Sequence, residues 1–195
     1  MLCQVCNKEE ATQKFTIWDN EFNFCSLDAT RVERYAHSLR EHYVVNVFWG
    51  VGHIDWGSWY NIRDFIRSHG ITEVLEIGCG LSSELFVNEG LKLIGFDTVD
   101  IHVKVLQDCQ PMKDHAVFHY YGEKDYPNIQ EIYPGRKWDF VFIDGPQVRD
   151  KSVKAAMEVA SKYIILHDPN MGEESYFPGT EWKEIGFKTY ERISQ

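Results

Sequence analysis

Three groups of residues in this sequence have the types and spacing to do chemistry. The first is a glycine loop, Gly78-Cys79-Gly80-Leu81-Ser82-Ser83, with Glu76 just before it and Asp97 further on. The second is a set of polar residues at the ends of apolar runs: Glu123 after Gly122, then Asp144, His167 and Asp168. The third is Cys3-x-x-Cys6 followed by Cys25-x-x-Asp28. Glycines in such a loop let a ligand press against backbone, and the helix that opens behind it offers free N–H groups and a partial positive charge. Asp97 lies about 20 residues on, at the end of the next strand, where a carboxylate can accept hydrogen bonds from both hydroxyls of a ribose. These features admit a dinucleotide or another adenosine compound. Two details separate them. The Glu76 carboxylate is awkward beside a pyrophosphate but compatible with a sulfonium cation and an amino group. Ser82 and Ser83 stand where a dinucleotide loop needs its third glycine for close helix packing. The pattern suits S-adenosylmethionine better than NAD, and a nicotinamide-dependent oxidoreductase is the weaker alternative.

These residues depend on an alternation of strands and helices. Apolar runs predict strands at Glu73–Gly78, Leu91–Asp97, Ala116–Tyr120, Phe140–Asp144 and Tyr163–His167. A helix opens at Ser83, and Val153, Ala156, Met157 and Ala160 form the apolar stripe of a crossover helix. Near-continuous apolar strands separated by helices argue for an α/β, Rossmann-like, mostly parallel and doubly wound sheet, with ligands at the carboxyl ends of its strands. In the tail, Phe187–Ile193 makes one final strand; a full antiparallel pair is hard to fit, so the sheet is expected to be abbreviated at that edge. The aromatics between Tyr43 and Tyr60, Phe48, Trp49, Trp56 and Trp59 among them, are candidates for the wall of an acceptor pocket or for plain packing.

With 195 residues, 44% of them hydrophobic, the chain can bury a core. The 30 acidic against 20 basic side chains, a net charge of -10, argue against sequence-independent binding to nucleic acid or to an anionic membrane. No apolar run reaches the ~18 residues of a membrane span, and the N-terminus has no signal-peptide pattern, so the chain reads as soluble and cytoplasmic.

The residues Val74-Leu75-Glu76-Ile77-Gly78-Cys79-Gly80 resemble motif I of the class I S-adenosylmethionine-dependent methyltransferases. Gly95-Phe96-Asp97 resembles their acidic ribose-binding strand end. Trp138 to Gly145 and Tyr163 to Asp168 are similar to their fourth and fifth strands, and the Ile-Asp-Gly and His-Asp pairs are most like the small-molecule and sugar O-methyltransferase branch. The resemblance covers residues 57–195. It implies O-methyl transfer to an acceptor, with Gly78, Cys79, Gly80 and Ser82 lining the methionine moiety and Glu76 near its amino group. It also implies Asp97 on the ribose and Glu123 at the adenine. Asp144 and Asp168 match metal-ligand positions of the family, with Mg²⁺ as the implied ion, and His167 lies between the two strands' ends. Gln147 stands where related sequences often carry a His. The base then falls to His102, His167 or His53, or the chemistry needs none. A catalytically silent relic is the corresponding alternative.

Cys3-x-x-Cys6, two short runs around Asp19-Asn20-Glu21, then Cys25-x-x-Asp28 at a helix start are similar to a treble-clef zinc finger, with Asp28 where a fourth Cys is usual. Structural zinc takes four ligands and can contribute about 10 kcal/mol to so small a unit. The expected organisation is therefore a zinc-binding hairpin and helix at residues 1–41 and a Rossmann-like methyltransferase domain at 42–195. The partner is a small-molecule acceptor, or a protein target presented by the finger. The competing reading is a non-catalytic zinc-finger module carrying a degenerate methyltransferase-like domain.

Overall fold

The computed structural model describes residues 13–17, 20–24, 54, 56–108, 112–122, 127–144, 149–167 and 176–193. The chain divides into two units, Met1–Ile62 and Arg63–Gln195. In the first, β1 (Gln13–Ile17) and β2 (Asn20–Phe24) form an antiparallel hairpin with Ile17 opposite Asn20. This is the hairpin that the aromatic and β-branched runs predict. Cys3, Cys6, Cys25 and Asp28, and the helix expected behind them, lie outside the described residues. Among the described residues, no three His, Cys, Asp or Glu side chains are grouped as a metal would require. No helix there is long and apolar enough to cross a membrane.

The second unit is built on a seven-stranded sheet. After α1 (Trp56–Ser68) come β3 (Glu73–Ile77), α2 (Leu81–Asn88), β4 (Lys92–Asp97), α3 (Asp100–Asp108) and β5 (Ala116–Tyr120). There follow α4 (Ile129–Ile132), β6 (Trp138–Ile143), α5 (Arg149–Val159), β7 (Ala160–Leu166), β8 (Trp182–Gly186) and β9 (Thr189–Arg192). The strand order is β5-β4-β3-β6-β7-β9-β8. The first five strands pair in parallel, while β9 is antiparallel to both β7 and β8.

Both faces of this sheet are covered, which is why its strands read as continuous apolar runs. On one face Phe86 of α2 meets Phe140 and Phe142 of β6 edge-on, at ring separations of 6.1 and 5.2 Å. On the other, Val141 and Ile143 of β6 share a buried cluster with Val153, Ala156 and Val159 of α5. The alternation along a single strand thus feeds two helical layers. One glycine is dictated by close approach. A Cβ on Gly95 would lie 2.6 Å from both Cys79 Sγ and Phe118 Cδ1, so any side chain there would push β4 away from the loop after β3 and from β5.

Three expectations about the elements need correction. The helical stripe was expected to run through Ala160, but the helix stops at Val159 and Ala160 opens β7 with no intervening loop. Helices α3 and α4 went unanticipated, α4 because four residues are too few to show a period. The tail holds a complete antiparallel pair rather than one strand. Residues 187–193 do not run on as a strand: the chain reverses at Phe187 and Lys188, with φ of 48° and 49°. Two consecutive residues in the left-handed region make a type I′ turn, whose twist matches that of the flanking strands and needs no longer loop. The usual Asn-Gly signal is missing, and so the turn is hidden in the sequence.

Candidate functional site

The carboxyl ends of the parallel strands form one continuous rim, because backbone hydrogen bonds continue past each strand's last residue. Tyr121 N–H donates to Asp97 O at 3.0 Å, Gly78 to Phe96 O at 2.8 Å, and Asp144 to Ile77 O at 3.0 Å. His167 N–H donates to Ile143 O at 2.9 Å, and Leu166 N–H to Lys188 O at 3.0 Å. Tyr121, Asp97, Gly78, Asp144, His167 and Lys188 therefore follow one another along the edge where an open α/β sheet places its ligands.

The glycine loop sits in the middle of this rim. Gly78 has φ +92°, a conformation costly to a residue with a Cβ, and it turns the chain out of β3. Cys79 N–H donates to Asp97 Oδ2 at 2.7 Å, while Asp97 Oδ1 accepts from Val99 N–H at 2.7 Å. The Asp97 side chain thereby fixes the loop after β3 to the loop after β4. Gly80 N–H donates to Ser83 Oγ at 3.0 Å, a side chain in the first turn of α2 reaching back to the residue before it. The Ser83 hydroxyl in turn donates to Glu76 Oε2 at 2.5 Å, and Ser82 Oγ donates to Glu76 Oε1. Glu76 is 0% exposed. Burial pushes its carboxyl up to about 8, outweighing the two serine hydrogen bonds, and the negative charges of Asp144 and Asp97 add to the shift. Cys79 is a buried free thiol whose pKa burial raises well above the ordinary value, which favours the thiol over the thiolate.

Further along the rim, Asp144 Oδ1 lies 2.8 Å from His167 Nδ1, with His167 only 4% exposed. As a carboxylate Asp144 accepts this bond, and His167 Nδ1 donates it. Phe142 flanks the imidazole at a ring separation of 6.1 Å.

The fold thus brings Glu76, Gly78, Cys79, Gly80, Ser82 and Asp97 together, and sets Asp144 and His167 beside them on the next two strands. Glu123, Asp168, Gln147 and His53 lie outside the described residues, as do Phe48 and Trp49. Sequence reasoning missed two parts. Ser83 joins Gly80 to Glu76, a role its place three residues after the helix cap could have suggested. The Asp144–His167 hydrogen bond joins residues on two strands and has no local signal.

The strand order with its reversed β9, and the glycine loop between β3 and α2, define a Rossmann-like α/β fold of the methyltransferase type. No protein-family model and no curated protein matches the chain. Among solved structures it is similar to an O-methyltransferase from Bacillus cereus in complex with SAH, at 17% identity and a TM-score of 0.55. That match covers 67% of this chain and 65% of the Bacillus chain, so it spans slightly under two-thirds of that enzyme's length. It is also similar to the O-methyltransferase TomG from Streptomyces achromogenes, involved in tomaymycin synthesis and bound to SAM. There the identity is 13% and the TM-score 0.54, over 74% of this chain and 82% of that one. An SAH-bound methyltransferase of Podospora anserina matches at 16% identity and a TM-score of 0.52, over 73% and 70% of the two chains. At these identities the likeness is one of fold.

Proposed function

We propose that this chain binds S-adenosylmethionine over the carboxyl ends of β3 and β4 and transfers its methyl group to a hydroxyl oxygen of an acceptor. The observation that carries this reading is where the loop amides point. A dinucleotide-binding loop presents its N–H groups to a pyrophosphate. Here the N–H of Cys79 goes to the Asp97 carboxylate and that of Gly80 to Ser83 Oγ. The Asp97 carboxylate then stands among the loop amides, where a pyrophosphate would need donors. On this reading the ribose hydroxyls donate to the Asp97 carboxylate, which can accept more than one bond on each oxygen.

When bound, the sulfonium supplies an activated methyl carbon. The acceptor oxygen forms the new C–O bond as the C–S bond breaks, with that bonding pair remaining on sulfur. The chain's own task is alignment and removal of the acceptor's proton. His167 is the candidate base, and Asp144 at its Nδ1 is the group that orients the ring. Asp144 is in this role a positioning residue, and its first oxygen is occupied by the imidazole.

Calorimetry with S-adenosylhomocysteine and with NAD⁺ tests the cofactor. Binding of the first at micromolar level, about -8 kcal/mol, is expected, with no heat from the second. Heat from NAD⁺ alone would sink the reading. With acceptors found by labelled-methyl transfer, His167→Asn should lower kcat by about 10²-fold while leaving S-adenosylhomocysteine affinity nearly unchanged.

We further propose that Cys3, Cys6, Cys25 and Asp28 hold a structural zinc, a reading that rests on the spacing of these residues in the sequence. About one zinc per chain is expected in the wild type and none in Cys3→Ser, by elemental analysis after dialysis. Equal zinc in both proteins rules the site out.

A further inference from the structure

Ser83 stands at the third glycine position of a G-x-G-x-x-G pattern whose first two glycines are Gly78 and Gly80. In a dinucleotide-binding loop a glycine there lets the helix close onto the strand, while the loop's N–H groups face the pyrophosphate. The other marks of such a loop are present: it follows β3, it opens α2, and an acidic residue, Asp97, ends β4. One side chain therefore separates this loop from the dinucleotide pattern, and its contacts say what it does.

Ser83 is fully buried and its hydroxyl lies between α2 and β3. It donates to Glu76 Oε2 at 2.5 Å and accepts the Gly80 N–H at 3.0 Å, while Ser83 N–H donates back to Gly80 O at 3.1 Å. This reciprocal pairing is a capping box in which serine replaces the usual Glu or Gln. The single hydroxyl proton is committed to Glu76, which leaves the oxygen's lone pairs for Gly80. Glu76 is itself fully buried and held from its other side by Ser82, so Ser83 cannot swing away without stranding a carboxyl oxygen. The Gly80 N–H is thus held inward. With the Cys79 N–H already on Asp97, two amides that a phosphate would use have partners within the protein.

We infer that Ser83 is a specificity-determining residue: by drawing the Gly80 N–H inward it closes the glycine loop to ligands that carry a diphosphate. A phosphate oxygen could take that N–H only by breaking the bond to Ser83, whereas with no hydroxyl at this position the amide has no internal acceptor and gains by meeting the anion. The inference rests on the reading of this loop as a site for S-adenosylmethionine and adds which residue excludes the phosphate-bearing adenosine compounds.

ADP is the probe, because it shares its adenosine with S-adenosylhomocysteine and differs in the group that reaches the loop. Calorimetry compares both ligands on the full chain as wild type, Ser83→Ala and Ser83→Gly. The wild type is expected to bind S-adenosylhomocysteine and to bind ADP far more weakly. In both variants the ratio of ADP to S-adenosylhomocysteine affinity is expected to rise about tenfold or more, the contribution of one hydrogen bond to a charged group. A purely structural role would lower the melting temperature and leave that ratio where it was, so an unchanged ratio in both variants overturns the inference. A wild type that binds the two ligands equally well also overturns it, and leaves the methyl-transfer reading standing. Where the variants do not fold, hydrogen exchange in the wild type decides: the Gly80 amide is expected to be protected with and without S-adenosylhomocysteine, and free exchange there overturns the inference. A wild type that fails to bind S-adenosylhomocysteine overturns the methyl-transfer reading, and this inference with it.

Discussion

Asp97→Ala should weaken binding of S-adenosylhomocysteine at least about 100-fold and lower the unfolding free energy by about 2–4 kcal/mol. The two effects have separate origins in one side chain. Structurally, the carboxylate accepts the N–H groups of Cys79 and Val99, both at 2.7 Å. Val99 is 37% exposed and can turn to water, but Cys79 is buried and its N–H would be left without an acceptor. A hydrogen bond to a charged group contributes about 1.5–3 kcal/mol, and the stranded amide adds its own cost. Functionally, losing two ribose contacts to the same carboxylate amounts to at least about 100-fold in affinity. Asp97→Asn keeps one acceptor oxygen and should fall between. Urea unfolding and calorimetry on the same preparations check both halves. If the Ala variant is destabilised yet binds S-adenosylhomocysteine within a few-fold of wild type, Asp97 is a brace between two loops and the ribose role is wrong.

For Glu76→Gln the expected result is a protein more stable than wild type at pH 8.5 by several kcal/mol, with the two nearly equal at pH 5. In the unfolded chain Glu76 ionises near its ordinary value of 4.5, whereas in the fold burial holds it up to about 8. Between those values the folded state binds more protons than the unfolded state, so stability falls as the pH rises through this window and is level on either side. At about 1.4 kcal/mol per tenfold difference in ionisation, the total is on the order of 5 kcal/mol. Glutamine has the same shape and no charge. Its oxygen can accept from one of Ser82 and Ser83 while its amide donates to the other, so both hydrogen-bonding partners survive. Unfolding free energies of both proteins from pH 5 to 9 decide the matter. Parallel curves would falsify the assignment. The same experiment bears on function, because a carboxyl that stays protonated at neutral pH is in place to hold the start of α2 rather than to pair with a free cation. A bound ammonium or sulfonium nearby would favour the ionised form. Binding of S-adenosylmethionine should then release a proton, seen as a buffer-dependent heat.

Much of the sheet was legible because its strands are buried on both faces. Phe140, Val141, Phe142 and Ile143 read as an unbroken apolar run, and the structure buries all four against helices on the two sides. The loop was legible for a local reason: a glycine at φ +92°, a second glycine and two serines fall within one turn of chain. The β8–β9 pair was not legible. Its turn residues are Phe and Lys, whose intrinsic preference is for other conformations, and only pairing with β7 and the burial of Trp182 and Tyr190 hold them there.

By itself, then, the sequence determined the α/β class, the glycine loop and the residue types at each strand end, because periodicity and turn chemistry are local properties. The tertiary structure decided which of those residues meet. The order β4-β3-β6-β7 brings Asp97 to Cys79, as the spacing from the glycine loop suggested, and Asp144 to His167, across a gap that no spacing rule spans. It also decided Glu76's state, since a carboxyl's ionisation depends on how deeply the whole fold buries it, and residue type alone does not specify burial.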